Sequence, residues 1–285
     1  MRLTQQQVQH YEQQGYLVLE NYFSPAELEL LQAELPHILA EESARRILEK
    51  SGAVRSVFAS HITSEVFKCF IRLARLIEPV TQILRSDVYI HQFKINAKTA
   101  LAGEQWEWHQ DFLYWHKEDC MPEPRVLTAV LFVEDVNEFN GPMLIIPGSH
   151  LDGMIDLDVH DKYRSAPGNG ALRKTVPPSW ASTLTADLKY KIDKQILMNL
   201  VNRRSIKAIT CPAGTLMFFH GNLFHASGSN LSPRDRISIF ASYNSVENVP
   251  RDMQNPRPLF IAERDGTPLT PLADSSLLEM GARVG

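Results

Sequence analysis

Two periodicities divide the chain. Residues 4–14 are polar, favour helix and end at Gly15. Tyr16-Leu17-Val18-Leu19 is a short apolar run that predicts a strand. Ser24-Pro25-Ala26-Glu27 has the spacing of a capping box, with proline at the first helical position. It predicts a helix that buries Leu28, Leu31, Leu35, Ile38 and Leu39, runs to about Lys50 and stops at Gly52. Residues 54–58 read as a loop or short strand. Residues 65–84 read as helical, with Pro79 at a break or a new first turn.

From Val88 the period shortens to two. His91, Phe93 and Ile95 are expected on one face of a strand over 88–96, and Gln92, Lys94 and Asn96 on the other, where they can line a polar cavity. Residues 106–111 alternate aromatic and polar side chains, and 125–133 form a near-continuous apolar strand. Asn140-Gly141-Pro142 turns into an apolar run at 143–146, and Pro147-Gly148-Ser149-His150 turns again. Pattern then stops over 151–180, where Gly153, Pro167, Gly168, Gly170, Pro177 and Pro178 punctuate a polar stretch. Long patternless stretches inside a domain are commonly functional, so a lid over about 151–200 is expected, with a short helix within 187–201. Strands follow at 216–219 and 236–243, joined through a connection and strand start at 220–230. The proline-rich tail is expected to be irregular, with 281–285 frayed.

Helices first and short strands afterwards predict one domain over 1–285, mainly β with flanking helices. Its helical part would span about 1–86, and its core, about 87–247, would be a double-stranded β-helix of the jelly-roll, cupin-like kind. The 44% hydrophobic and 22% charged content suits such a globular chain. A net charge of −4 offers no basic footprint, which argues against nucleic acid as a partner. No apolar run is long enough to span a membrane, and the first residues lack an apolar signal core. Cys69, Cys120 and Cys211 have neither metal-site nor disulfide spacing and read as reduced thiols of a cytoplasmic protein.

Candidate chemistry centres on His109-Gln110-Asp111. On a strand, residues two apart share a face, so an imidazole and a carboxylate would converge there. With one more histidine they would form a mononuclear iron(II) site with open positions. His116-Lys117-Glu118 and His150-Leu151-Asp152 have the same spacing, but the first lies in a charged run that reads as a loop and the second follows a turn. Only His109 and Asp111 end an aromatic strand pattern. The third ligand is His220 or His225. Downstream, Arg236 stands on an otherwise apolar strand, where an unpaired cation is costly; it suits the bidentate capture of a carboxylate.

The chain resembles the phytanoyl-CoA hydroxylase family of iron(II)/2-oxoglutarate dioxygenases, most of all its ectoine-hydroxylase branch. The resemblance rests on Val54-Arg55-Ser56-Val57-Phe58 with His61, on 89–96 with Lys94 at the basic position, and on Trp108-His109-Gln110-Asp111-Phe112 with Trp115-His116 and 118–122. It continues through Asn140-Gly141-Pro142, 146–150, the block from His225 and Ser227 to Arg236, Arg257-Pro258 and 264–269. It implies that His109, Asp111 and His225 bind Fe(II). Arg236 and Ser227 would hold the distal carboxylate of 2-oxoglutarate, with Lys94 near it. Gln92, Asn96, Trp115 and Phe240 would meet the substrate. Related halogenases carry a small residue in place of the ligand carboxylate, so Asp111 implies hydroxylation with O2.

The chain departs from ectoine hydroxylases at Cys120, where they carry glycine, at Leu127-Thr128-Ala129-Val130, where theirs is serine-rich, and at Ser238, where asparagine is expected. No basic cluster suits a CoA phosphate. The expected substrate is therefore a small amino acid or amino-acid derivative, with ectoine as an alternative. Desaturation or epoxidation of a natural-product intermediate, and a jelly-roll binding module without turnover, are the rival readings. A monomer or homodimer is expected.

Overall fold

A computed structural model of the chain describes residues 1–157, 184, 188–190, 192–251 and 253–284. Eleven strands form two antiparallel sheets among the described residues. The larger contains β1 (Tyr16–Leu19), β2 (Arg46–Leu48), β3 (Val54–Phe58), β4 (Val88–Lys98), β6 (Val126–Phe132), β9 (Thr215–His220) and β11 (Arg236–Ser245), in the order β1-β9-β6-β11-β4-β3-β2. The smaller contains β5 (Trp106–His109), β7 (Met143–Ile145), β8 (Lys207–Ile209) and β10 (His225–Ser227), in the order β5-β10-β7-β8. This is the jelly-roll core that the strand pattern predicts, with helices on one side.

Both faces of the large sheet are buried along its central strands, which is why β6 reads as a continuous apolar run. Leu127, Ala129, Leu131, Phe93, Ile95, Ile239 and Ala241 pack with the helices. Val130, Phe132, Met217, Phe219 and Phe240 pack between the sheets, with Met143 and Ile145 of β7. On β4 and β11 the face toward the small sheet is polar, with Lys98 opposite Arg236, Asn96 opposite Ser238, Lys94 opposite Phe240 and Gln92 opposite Ser242.

The helical layer comprises α1 (Gln5–Gln14), α2 (Pro25–Ala40), α3 (Ser60–Thr63), α4 (Glu65–Phe70) and α5 (Ala74–Leu84), joined later by α8 (Ser276–Val284). The expected capping box at Ser24 opens α2, and a second one, at Thr4, opens α1. Four local expectations are overturned. First, α2 ends at Ala40, because Arg46–Leu48 pairs with β3 and tertiary pairing overrides the helix propensity of the charged stretch. Second, the break in the second helical stretch falls at Ile71–Leu73, where Leu73 bridges Leu272 of the tail. Pro79 lies inside α5; the Arg75 carbonyl that its missing N–H would have met accepts the Tyr22 hydroxyl at 2.8 Å. Third, the tail ends in α8, whose Leu277 is fully buried in the helix-side core, so tertiary packing supports a helix too short to form alone. Fourth, β4 carries a bulge at His91: Ser242 pairs with Gln92 and Tyr243 with Ile90. Phe93 and Ile95 stay with the helices, whereas His91 is turned against Trp115 and away from them.

Most of the expected lid lies outside the described residues. Within it, α7 (Lys194–Arg203) is the short helix expected near 187–201.

Gly15 closes α1 at φ 77°, and a Cβ there would lie 2.4 Å from His150 Nδ1. Gly15→Ala therefore combines left-handed strain of about 1–2 kcal/mol with a steric clash. Urea unfolding is expected to show a loss of at least that size.

Candidate metal and cosubstrate site

His109 is the last residue of β5 and His225 the first of β10, and the two are direct partners across the ladder. Asp111 is not on the strand. The chain leaves β5 at Gln110, and Asp111 opens helix α6 (Asp111–Asp119), so convergence comes from a strand-to-helix turn and not from a shared strand face. Ligand atoms of His109, Asp111 and His225 lie within 4.8 Å of one another, and all three residues are buried. His109 Nε2 is 3.6 Å from Asp111 Oδ1, and His225 Nε2 is 3.8 Å from Oδ2.

Each imidazole is held by its own backbone. His109 Nδ1 donates to Glu107 O at 2.6 Å, and His225 Nδ1 to Leu223 O at 2.9 Å. A carbonyl only accepts, so each Nδ1 carries a proton and each Nε2 is the nitrogen turned toward the carboxylate. Burial and the neighbouring His109 push His225 down to about 3, so it is neutral at physiological pH. For Asp111, burial would raise the carboxyl. Lys94 and the two imidazoles outweigh it and hold the group well below the usual carboxylate range. Two imidazole nitrogens and one carboxylate oxygen on one face fit ferrous iron with positions left for other ligands.

A cavity opens beside the cluster. Lys94, Asn96, Lys98, Trp106, Phe132, Met143, Ser227, Arg236 and Phe240 line it with His109 and His225. Arg236 is 4% exposed, and its guanidinium donates to Ser238 Oγ at 2.9 Å and to the carbonyls of Asn140 and Gly141. Gly141, at φ 74°, is required here: a Cβ would lie 2.7 Å from both Gly228 O and Lys98 Cδ. Burial brings Arg236 down to about 10, which leaves it charged. The Ser227 hydroxyl is buried with no hydrogen-bond partner. A buried guanidinium beside an unpartnered hydroxyl fits a carboxylate, which accepts from both.

Sequence reasoning missed Lys98 and Trp106. Lys98 extends the alternation of Gln92, Lys94 and Asn96 by one step beyond the expected strand end, so the period-two signal was available. Its ammonium donates to Glu104 O at 2.7 Å, and burial, then Arg236, push it down to about 6. The Trp106 ring carries the Arg55 guanidinium 3.6 Å from its centroid, and Arg55 is paired with buried Glu49 at 2.9 Å. Lys94 stands 5.1 Å from the Phe240 ring centroid; burial lowers it, and Asp111 pulls it back. Ser56 donates to Asn96 Oδ1 at 2.7 Å, so Nδ2 remains the amide's donor toward the cavity.

Two expected substrate residues lie outside this lining. Gln92 donates through Nε2 to Ile261 O at 2.8 Å. Trp115 is 2% exposed and packs with Phe112, Met121 and Val126. His220 is not in the cluster: its Nδ1 accepts from Asn222 N at 3.0 Å, and its ring lies against His150. The charged run at 116–119 is helical rather than a loop, and Cys120 after it is exposed at φ 59°. That left-handed cap position favours glycine.

The sequence profile of the phytanoyl-CoA dioxygenase family (PhyH) matches residues 11–238. An ectoine dioxygenase of Bordetella bronchiseptica is 37% identical, over 97% of this chain and 88% of its own. An L-proline trans-4-hydroxylase of Streptomyces griseoviridis is 34% identical, over 92% of this chain and 93% of its own. The crystal structure of EctD from S. alaskensis with 2-oxoglutarate and 5-hydroxyectoine superposes with a TM-score of 0.79 at 29% identity, covering 95% of this chain and 88% of that one. The same protein has been crystallised with bound Fe. The chain belongs to the phytanoyl-CoA dioxygenase family and is an iron(II)- and 2-oxoglutarate-dependent hydroxylase.

Below α6, fully buried Asp119 accepts Arg257 Nε at 2.6 Å and Nη2 at 2.5 Å, and lies 3.1 Å from His91 Nε2. Burial would raise its carboxyl, but Arg257 and His91 hold it at about 2, below the ordinary 3.8. Its lowered pKa stabilises the fold above the ordinary value, and that contribution disappears as pH falls toward 2. Asp119→Asn is expected to cost about 1.5–3 kcal/mol at neutral pH, because it removes the charge that strengthens the hydrogen bonds from Arg257. Urea titrations against pH should show the gap between native and variant closing between pH 4 and 2.

Proposed function

We propose that this enzyme hydroxylates an unactivated C–H bond of an amino acid or amino-acid derivative, with His109, Asp111 and His225 as the iron ligands. The observation that carries this reading is one buried cavity that joins the His-Asp-His cluster to Arg236 and the unpartnered Ser227 hydroxyl. When bound there, iron and 2-oxoglutarate would supply, with O2, the oxidising chemistry that converts the cosubstrate to succinate and CO2.

The chain's own residues would do the rest. Arg236 and Ser227 would grip the distal carboxylate, while Lys94 stands near the cosubstrate and balances remaining negative charge. The carbonyl-held imidazoles would keep Nε2 aimed at the metal with no reorganisation. Phe240, Phe132 and Met143 would exclude water from the reacting carbon. Asn96 would orient a polar group of the substrate, and Gln92 and Trp115 would support that stretch of β4 from outside the cavity, Gln92 through Ile261 O and Trp115 through its edge contact with His91. A small polar substrate agrees with these contacts and with those named for the ectoine and proline relatives. We read the chain as one catalytic domain acting in the cytoplasm as a monomer or homodimer; none of the described helices is long and apolar enough to cross a membrane.

A panel of L-proline, ectoine, other amino acids and acyl-CoA thioesters tests the substrate class. Succinate release coupled to a product heavier by one oxygen is expected with an amino acid or derivative. Turnover of thioesters alone would overturn the substrate class, and a product lighter by two hydrogens would make the enzyme a desaturase. Asp111→Ala should abolish coupled succinate release; retained turnover would show that the triad is misassigned. Arg236→Met should raise the KM for 2-oxoglutarate by about tenfold or more, since it removes charge-assisted hydrogen bonds.

A further inference from the structure

Gln110 stands between two of the candidate ligands, and its side chain reaches the approach to the third. It is fully buried. Its Nε2 donates to Asn222 O at 2.7 Å and to Gly153 O at 2.8 Å, and its Oε1 accepts from Ile155 N at 2.9 Å. Asn222 precedes Leu223, whose carbonyl holds the His225 ring. Phe112 N, just past Asp111, donates to Gly221 O at 2.9 Å. The turn that carries His109 and Asp111 is thus stitched twice to the turn that delivers His225. At the same place α6 begins without a side-chain N-cap.

We infer that Gln110 is a positioning residue that sets the three ligands relative to one another and ties the 153–155 segment to the same point. It does this with a carboxamide, which supplies two donors and an acceptor from one group. Leucine in its place would leave two carbonyls and an amide unsatisfied in the interior, and glutamate would turn an acceptor toward both carbonyls. Misplaced ligands weaken metal binding before they unfold the chain; the loss of comparable supporting contacts costs about 10- to 100-fold in affinity.

The inference rests on the proposed metal site, so Mn(II) titration of the full chain tests the two separately. Native protein should bind Mn(II) and His225→Ala should not; an absence of native binding would overturn both. Gln110→Leu and Gln110→Glu should bind about 10- to 100-fold more weakly while keeping the native circular dichroism. Tyr243→Phe serves as the control for lost stability, since it removes a buried hydrogen bond to Ile71 O on the helix side of the sheet. Native-like affinity in both Gln110 variants would overturn the inference with the metal site intact, as would an equal loss in Tyr243→Phe. If neither Gln110 variant folds, hydrogen exchange of the native chain decides. Mn(II) should slow exchange at the Ile155 amide more than at the Ile239 amide of the sheet core, and an equal effect at both would overturn the inference.

Discussion

Two imidazoles and a carboxylate must meet at one buried point, and the pairing of β10 with β5 is what brings them there. His225 faces His109 across that ladder, so a slip of one residue would turn its ring to the opposite side of the sheet. Register is reinforced from the far edge, where His225 also pairs with Ile145 of β7. The carbonyls of Glu107 and Leu223 then choose the tautomer. A short strand pair and two local hydrogen bonds therefore determine both the position and the donor character of the cluster.

Charge around the cavity is unbalanced in a useful direction. Lys94, Lys98 and Arg236 line it together, whereas Asp111 is the carboxylate of the adjoining cluster. Arg236 spends its hydrogen bonds on two carbonyls and a hydroxyl, and Lys98 on a carbonyl. Neutral partners satisfy donors without cancelling charge, so the cavity keeps a positive potential that suits a small dianion. Burial, and then the neighbouring Arg236, push Lys98 toward neutrality, so Arg236 and Lys94 carry this potential.

The outer parts of the molecule keep this arrangement rigid. The His91 bulge, the end of α6 and the tail meet at Asp119, and Glu263 N adds a bond to His91 O at 2.7 Å. The far end of the ligand-bearing helix is thus tied to a segment more than a hundred residues away in sequence. Arg55 makes a similar connection on the other side, joining Glu49 to the Trp106 wall.

Much of this was written in local pattern. Period-two alternation marked β4 and β11, a near-continuous apolar run marked β6, a capping box marked the start of α2, and the spaced motifs singled out His109, Asp111, His225, Ser227 and Arg236, because strand faces and helix caps depend on neighbours within a few residues. The end of α2, the break before α5, the helix at 276–284 and the bulge at His91 depend on pairings with distant segments, which no local window contains. The same holds within the site. Residue pattern named His109 and Asp111 but placed Asp111 on the wrong element, and between His220 and His225 only the family resemblance pointed to His225. The tertiary structure supplies the reason, because His225 begins the strand that lies next to β5 and His220 does not.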